Sequence, residues 1–241
     1  MRTVAVVAAG GSGVRLGGAL PKQFLELAGR PLLAHTCERF ARCRTVGGWI
    51  LVLPAEGFEE HRERMQAWAD RAKLLAVVPG GQVRQDSVWR GLQAIPHGFE
   101  GVVLVHDGAR PLVSEALIEA TAEAAARYGA AIAALPAQDT LKVVGADDVI
   151  QTTVDRRQLY RAQTPQGFRF EILRAAFERA IAERFYGTDE SALVERIGVA
   201  VHLVAGSETN IKVTTAEDLL LAEHYLRDLG DSREGREGAG E

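Results

Sequence analysis

Residues 8–24, "AAGGSGVRLGGALPKQF", set a glycine-rich loop after an apolar run and supply two cations, Arg15 and Lys22. Glycines let several backbone N–H groups converge on one anion, and nearby cations complete the neutralisation. That is phosphate-holding chemistry, and three layouts compete for it. A Walker A loop needs Lys-Ser or Lys-Thr after its last glycine, and neither follows here. The dinucleotide fingerprint G-x-G-x-x-G would put Leu16 at its third glycine and open a helix at once, whereas Gly18-Ala19-Leu20-Pro21 keeps the chain in loop. What is left is a long phosphate loop completed by its own Arg15 and Lys22. A solvated turn with two surface cations is the bland alternative, made less attractive by the tight glycine cluster and Pro21-Lys22.

Other stretches carry weaker signals. "PGGQVRQDSVWRGL" (79–92) has a glycine pair, then Arg84 and Ser87 just before helical periodicity. "VLVHDGARPLV" (103–113) ends a hydrophobic strand in Asp107, placed to meet Mg²⁺ or a ligand hydroxyl, or else to cap the following turn. His106 reads as structural. "YGTDESALVER" (186–196) reads as an N-cap at Thr188 with Glu190 in the first turn. In "ETNIKVTTAEDL" (208–219), Lys212 closes a strand-like run and Thr215 caps the last helix; a lone Lys there ordinarily reaches for solvent. "DT" (139–140), "TVDR" (153–156) and "TPQ" (164–166) read on their own as solvated loop residues.

These groups need a frame. Near-continuous apolar strands at 3–9, 48–54, 74–79, 101–107 and 130–136 alternate with helical patterns at 31–42, 56–71, 83–95 and 114–128. Such runs fit strands covered by helices on both faces, hence an α/β class with a doubly wound, mostly parallel twisted sheet. In such a sheet ligands bind beyond the carboxyl ends of the strands, where residues 10–18 fall. After Pro136 two strand-like pieces, 140–144 and 149–154, joined by "GADD" predict a projecting β-arm within about 137–163. Helices at 170–183 and 189–197, a strand at 199–204 and a helix at 215–228 complete one domain over 1–229. The Gly- and charge-rich tail 230–241 is expected to be disordered.

Composition narrows the classes. The 241 residues are 47% hydrophobic and 25% charged, enough for a proper core, and a net charge of −4 argues against binding nucleic acid or an anionic membrane. The N-terminal apolar run of about eight residues is shorter than a membrane span. Two cysteines build no disulfide framework, so a reduced, cytoplasmic protein is expected.

"AAGGSGVRLG" followed by "PKQF" resembles the signature of the nucleotidyltransferase superfamily with a Rossmann-like core, and within it the 2-C-methyl-D-erythritol 4-phosphate cytidylyltransferase family. "GGQVRQDSV", "VHDGARP", "DT…TVDR…TPQ", "GTDESA" and "NIKVT" continue the likeness over roughly 3–228; Gln82 stands where the family often has Asp, and Gly108 where it has Ala. The resemblance implies transfer of the cytidylyl group of CTP to methylerythritol phosphate with release of pyrophosphate, another polyol or sugar phosphate such as ribitol 5-phosphate being the alternative acceptor. It implies Mg²⁺, and a homodimer whose arms cross. Arg15, Lys22, Arg156 and Lys212 become the catalytic candidates. Ala8, Ala9, Gly10, Gly11, Ser12, Gly13, Gly81, Gln82, Arg84 and Ser87 are assigned to the nucleotide. Asp107, Arg110, Thr140, Thr164 and Thr188 are assigned to the acceptor, with Asp107 also the metal candidate. Thr140 and Arg156 would come from the partner chain.

Overall fold

The computed structural model describes residues 2–11, 21–68 and 73–237. β1 (Arg2–Ala8) leads to a 3₁₀ turn at Lys22–Phe24 and a two-strand ribbon, β2 (Glu26–Leu27) with β3 (Arg30–Pro31). The alternation then runs α1 (Leu32–Arg42), β4 (Gly48–Leu53), α2 (Phe58–Gln66), β5 (Leu74–Pro79), α3 (Arg84–Gln93), β6 (Gly101–Asp107), α4 (Glu115–Tyr128) and β7 (Ala130–Pro136). β8 (Lys142–Val144) and β9 (Ile150–Thr153) form the arm. β10 (Tyr160–Arg169), α5 (Phe170–Glu183), α6 (Glu190–Arg196), β11 (His202–Ala205) and α7 (Ala216–Glu237) follow.

Seven strands form one sheet in the order β11-β7-β10-β6-β1-β4-β5, and β8-β9 stand apart as an antiparallel pair. All pairings in the large sheet are parallel except those of β10, which runs antiparallel to both β6 and β7. From β1 the chain winds outward through β4 and β5, then returns to lay β6 on the other flank of β1. That reversal is a switch point, and it opens a crevice at the carboxyl ends of β1 and β6. Register sets Ala8 opposite Asp107 there.

Strand alternation splits the core in two. Ala5, Val7, Leu51 and Leu104 face a layer containing Leu33, Phe40 and Ile118. Val4, Val6, Val52, Val103 and Val105 face Val88, Phe168, Leu173 and Phe177. Each fully buried large side chain contributes about 1.5–3 kcal/mol. A third cluster, Leu27, Leu32, Ala109, Leu112, Val213 and Ala222, seats α7 and the segment before it against the β2–β3 ribbon and the loop after β6.

Several expectations are corrected. β10 reads in sequence as loop, because Pro165 lacks the N–H that a central strand needs. The chain resolves this with a register shift between Ala162 and Gln166, so Pro165 falls where pairing is interrupted. α2 starts after Gly57 at φ 66 and ends at Gln66, shorter than 56–71. β11 begins at His202 rather than 199. Lys212 lies in an extended segment outside any strand, tied by Val213 N–H to Ala109 O at 2.9 Å. α7 continues to Glu237, past the expected end at 228; extending a helix adds one hydrogen bond per residue without a new nucleus. Residues 238–241 lie outside the described residues.

Candidate active site

Residues 9–11, where the chain leaves β1, are held from two sides. Gln23, almost fully buried, donates from Nε2 to Ala9 O (2.8 Å) and Gly11 O (2.9 Å). Close backbone packing supports the other side: a Cβ on Gly10 would meet Ser87 Oγ at 2.7 Å, and one on Gly81 would meet Asp86 Cβ at 2.2 Å. Ser87 Oγ accepts from Gly81 N–H and donates to Val83 O, both at 3.1 Å, so this hydroxyl shapes the second glycine loop. Gly108 also fits tightly, because a Cβ there would approach Ala9 Cβ to 2.8 Å and Leu33 Cδ1 to 2.9 Å.

Asp107, at the carboxyl end of β6, is the electrostatic hub. Its Oδ1 accepts from Arg84 Nε (2.9 Å), its Oδ2 lies 2.9 Å from Lys212 Nζ, and Arg110 Nε stands 3.7 Å from Oδ2. Burial opposes its ionisation, but Arg84, Lys212 and Arg110 outweigh that and hold the carboxyl well below the usual range. Arg84 spends its other two nitrogens on Glu190, with Nη1 donating to Oε1 at 2.8 Å and Nη2 to Oε2 at 2.9 Å. Burial raises the Glu190 pKa while Arg84 opposes the rise; the fork-to-fork pairing is that of an ionised carboxylate.

A buried relay fixes the backbone beneath Asp107. Thr164 Oγ1 accepts from Asp107 N–H (3.1 Å) and lies 3.0 Å from His106 Nδ1, while His106 Nε2 lies 3.2 Å from Arg110 O. We assign the Nε2–H tautomer, donating to Arg110 O and accepting from Thr164 at Nδ1. Burial lowers the His106 pKa to about 4, so the ring is neutral and fully engaged. Arg110 Nη1 donates to Asn210 O at 2.7 Å, and Asn210 Nδ2 to Thr164 O at 2.8 Å. This brings the segment that carries Lys212 to β10 and β6.

A cleft of about 570 Å³ opens over these groups, lined by Ala8, Ala9, Gly10, Gly11, Lys22, Gln23, Pro54, Ala55, Glu56, Gly81, Gln82, Val83, Arg84, Ser87, Asp107, Ala109, Lys212 and Thr214. The described nucleotide candidates thus share one cavity with Lys22, Asp107 and Lys212. Ser12, Gly13 and Arg15 lie outside the described residues. Arg110 and Thr164 lie beneath the cleft, bound to its frame. Thr188 is exposed and does not cap α6; Asp189 does, with Oδ1 accepting from Ala192 N–H at 3.0 Å, since a carboxylate at a helix start also meets the positive end of the helix dipole. Thr140 and Arg156 sit on the exposed arm, with Arg156 Nη1 donating to Gln138 O. Sequence reading missed Gln23, the role of Glu190, and Gln85, which donates to Phe185 O (3.0 Å) and accepts from Gly187 N–H (2.9 Å). The position of Gln23 next to Lys22 was the one visible hint.

The donor set does not fit a metal held at Asp107. Both of its oxygens already carry cations, and among the described residues no three His, Cys, Asp or Glu side chains converge.

A switch-point cleft with backbone N–H groups and cations, and among the described residues no nucleophile–base pair beside them, is the kind of site an α/β nucleotidyltransferase uses. Residues 3–228 match the model of the IspD family, 2-C-methyl-D-erythritol 4-phosphate cytidylyltransferase. The chain belongs to that family. It is 42% identical over 226 residues to the 2-C-methyl-D-erythritol 4-phosphate cytidylyltransferase of Syntrophus aciditrophicus, covering 94% of this chain and 96% of that one. It is 43% identical over 234 residues to that of Geotalea uraniireducens, covering 97% and 100%. The crystal structure of 4-diphosphocytidyl-2C-methyl-D-erythritol synthase from Anaerococcus prevotii superposes with a TM-score of 0.79 at 31% identity, over 94% of this chain and 96% of that one. The chain is a cytidylyltransferase of isoprenoid biosynthesis that uses CTP and methylerythritol phosphate; a different polyol or sugar phosphate acceptor is not favoured.

Proposed function

We propose that the transfer takes place in this cleft, with CTP held by the backbone of residues 8–13, Lys22 and Arg15, and with cytidine against Gly81, Gln82, Arg84 and Ser87. The acceptor's phosphate is drawn by Lys212 and Thr188, and its polyol by Asp107, on the frame that Arg110 and Thr164 brace. One of its phosphate oxygens attacks the α-phosphorus, forming a new P–O bond as the bond to pyrophosphate breaks. A phosphate monoester is already anionic, so the work is positioning and charge neutralisation. The observation that carries this reading is the convergence of Lys22, Lys212 and the residue 8–11 backbone on one cavity. The neutral, fully bonded His106 agrees with a reaction that needs no general base.

The Mg²⁺ expected for such a reaction would come with the nucleotide rather than be held by Asp107, and would supply neutralisation of phosphate charge. We assign a homodimer because the arm exposes Val143, Val144, Val149 and Ile150, between 42% and 61% accessible, as one apolar patch. Thr140 and Arg156 then serve the partner's cleft. We place the protein in the cytoplasm, a reading that the two buried free thiols, Cys37 and Cys43, support. Among the described residues no helix is long and apolar enough to cross a membrane.

The test is pyrophosphate release with Mg²⁺, CTP and methylerythritol 4-phosphate, against ribitol 5-phosphate and against ATP, GTP or UTP. Release confined to the first pair is expected, and equal release with ribitol 5-phosphate would discard the acceptor. Mixing inactive Arg156→Ala and Lys212→Met chains should restore part of the activity if the arms cross. No recovery from a light-scattering dimer would place Arg156 in its own chain's site.

A further inference from the structure

We infer that Glu190 is a positioning residue for the transfer, acting through Arg84 on Asp107 and Lys212. The inference rests on the reading of the cleft given above. Glu190 is 1% exposed and both of its oxygens are taken by Arg84, so it has no surface to offer either substrate. Nor does it cap α6, because Asp189 performs that task. Its two oxygens are instead both given to the terminal nitrogens of Arg84, leaving Nε for Asp107. The four groups therefore alternate in sign, from Glu190 through Arg84 and Asp107 to Lys212 at the cleft wall.

The alternation divides the donors of Arg84. A guanidinium prefers a bidentate carboxylate, and one left with a single carboxylate partner turns its fork onto that partner. Without Glu190, Arg84 would claim both oxygens of Asp107 and displace Lys212 Nζ from Oδ2. The ammonium proposed to hold the attacking phosphate would then lose its fixed position. Displacements of about 1 Å at reacting groups lower rates by up to about 10²-fold.

A purely structural role is separable, because Gln85 independently ties the first turn of α3 to Phe185 and Gly187, just before α6. Removing the charge of Glu190 leaves that attachment in place. Glu190→Gln keeps the side chain's shape but presents an N–H₂ to Arg84 where an oxygen stood.

The experiment compares wild type, Glu190→Gln and Glu190→Asp by steady-state kinetics with CTP and methylerythritol 4-phosphate, by CTP affinity, and by thermal melting. For Glu190→Gln we expect kcat to fall by about 10- to 100-fold, with clearly smaller losses of CTP affinity and melting temperature, and Glu190→Asp to recover part of the loss. Wild-type kcat in Glu190→Gln overturns the inference. So does a loss of kcat matched by equal losses of CTP affinity and melting temperature. Should Glu190→Gln fail to fold, Glu190→Asp decides: lowered kcat at the wild-type melting temperature supports the role, and unchanged kcat overturns it. A wild-type enzyme that releases no pyrophosphate would overturn the reading of the cleft and the inference with it.

Discussion

The ammonium of Lys212 lies 2.9 Å from Oδ2 of Asp107, binding the segment after β11 to the carboxyl end of β6. The carboxylate is 10% exposed and the lysine side chain 40%, so Asp107 anchors the cation from below while its outer side remains open to the cleft. The pair is a preset cation of the kind that stabilises an attacking phosphate without reorganisation.

Lys212→Met is expected to lower kcat/KM for the acceptor on the order of 10²–10³-fold with little change in stability, since Asp107 retains Arg84. Asp107→Asn is expected to act on both properties: it leaves Arg84, Lys212 and Arg110 without their shared anion, at a cost of about 3–5 kcal/mol. Kinetics beside urea denaturation separates the two. Loss of stability in Lys212→Met as large as in Asp107→Asn would mean that Lys212 is part of the frame.

Lys22→Ala and Arg15→Ala are each expected to lower kcat by something on the order of 10²–10³-fold, as loss of one transition-state donor does elsewhere. Near-wild-type turnover in either variant, measured at saturating CTP, would remove that residue from the mechanism.

Gln23→Leu should loosen the nucleotide loop without touching the nucleotide. It leaves Ala9 O and Gly11 O without their donor, which costs about 1–3 kcal/mol where those groups stay buried. The expected kinetic signature is a higher KM for CTP with a smaller effect on the acceptor, and isothermal titration with CTP measures it directly. Unchanged CTP affinity would show that the loop is set by its glycines alone.

His106 predicts how stability responds to acid. Its folded pKa, about 4, lies below an unfolded value near 6.5, so the unfolded chain binds the proton first as pH falls. The contribution is complete above about pH 6.5 and is lost as pH falls towards 4, at a total on the order of 3 kcal/mol. His35 and His61 are lowered in the same direction, first by burial, so the decisive comparison is between proteins. Urea denaturation at pH 7 and pH 4.5 should show a smaller acid loss in His106→Gln than in wild type. An identical loss would assign the acid sensitivity to other groups. Asp107, held below the normal carboxylate range, is lost only at still lower pH and does not confuse that window.

Local pattern alone determined the frame of this protein. Strand runs covered by helices are continuously apolar, and β6 and β7 have the predicted limits because nothing in 101–107 or 130–136 interrupts that run. The glycine loops and their cations were legible for the same reason: backbone approach to an anion demands residues without side chains at close spacing. β10 was not legible, because a proline in a central strand is tolerated only where neighbours allow a register shift, and those neighbours are β6 and β7. The partners of Arg84 and Asp107 were beyond local reading as well. Glu190 looked like the acidic first turn of a helix, and Lys212 like a lysine seeking solvent. Tertiary structure decided that both converge on the carboxyl edge of the sheet. An ion pair is specified by positions in space, and the strand order that sets β6 beside β1 and β10 is written in no single stretch of the chain.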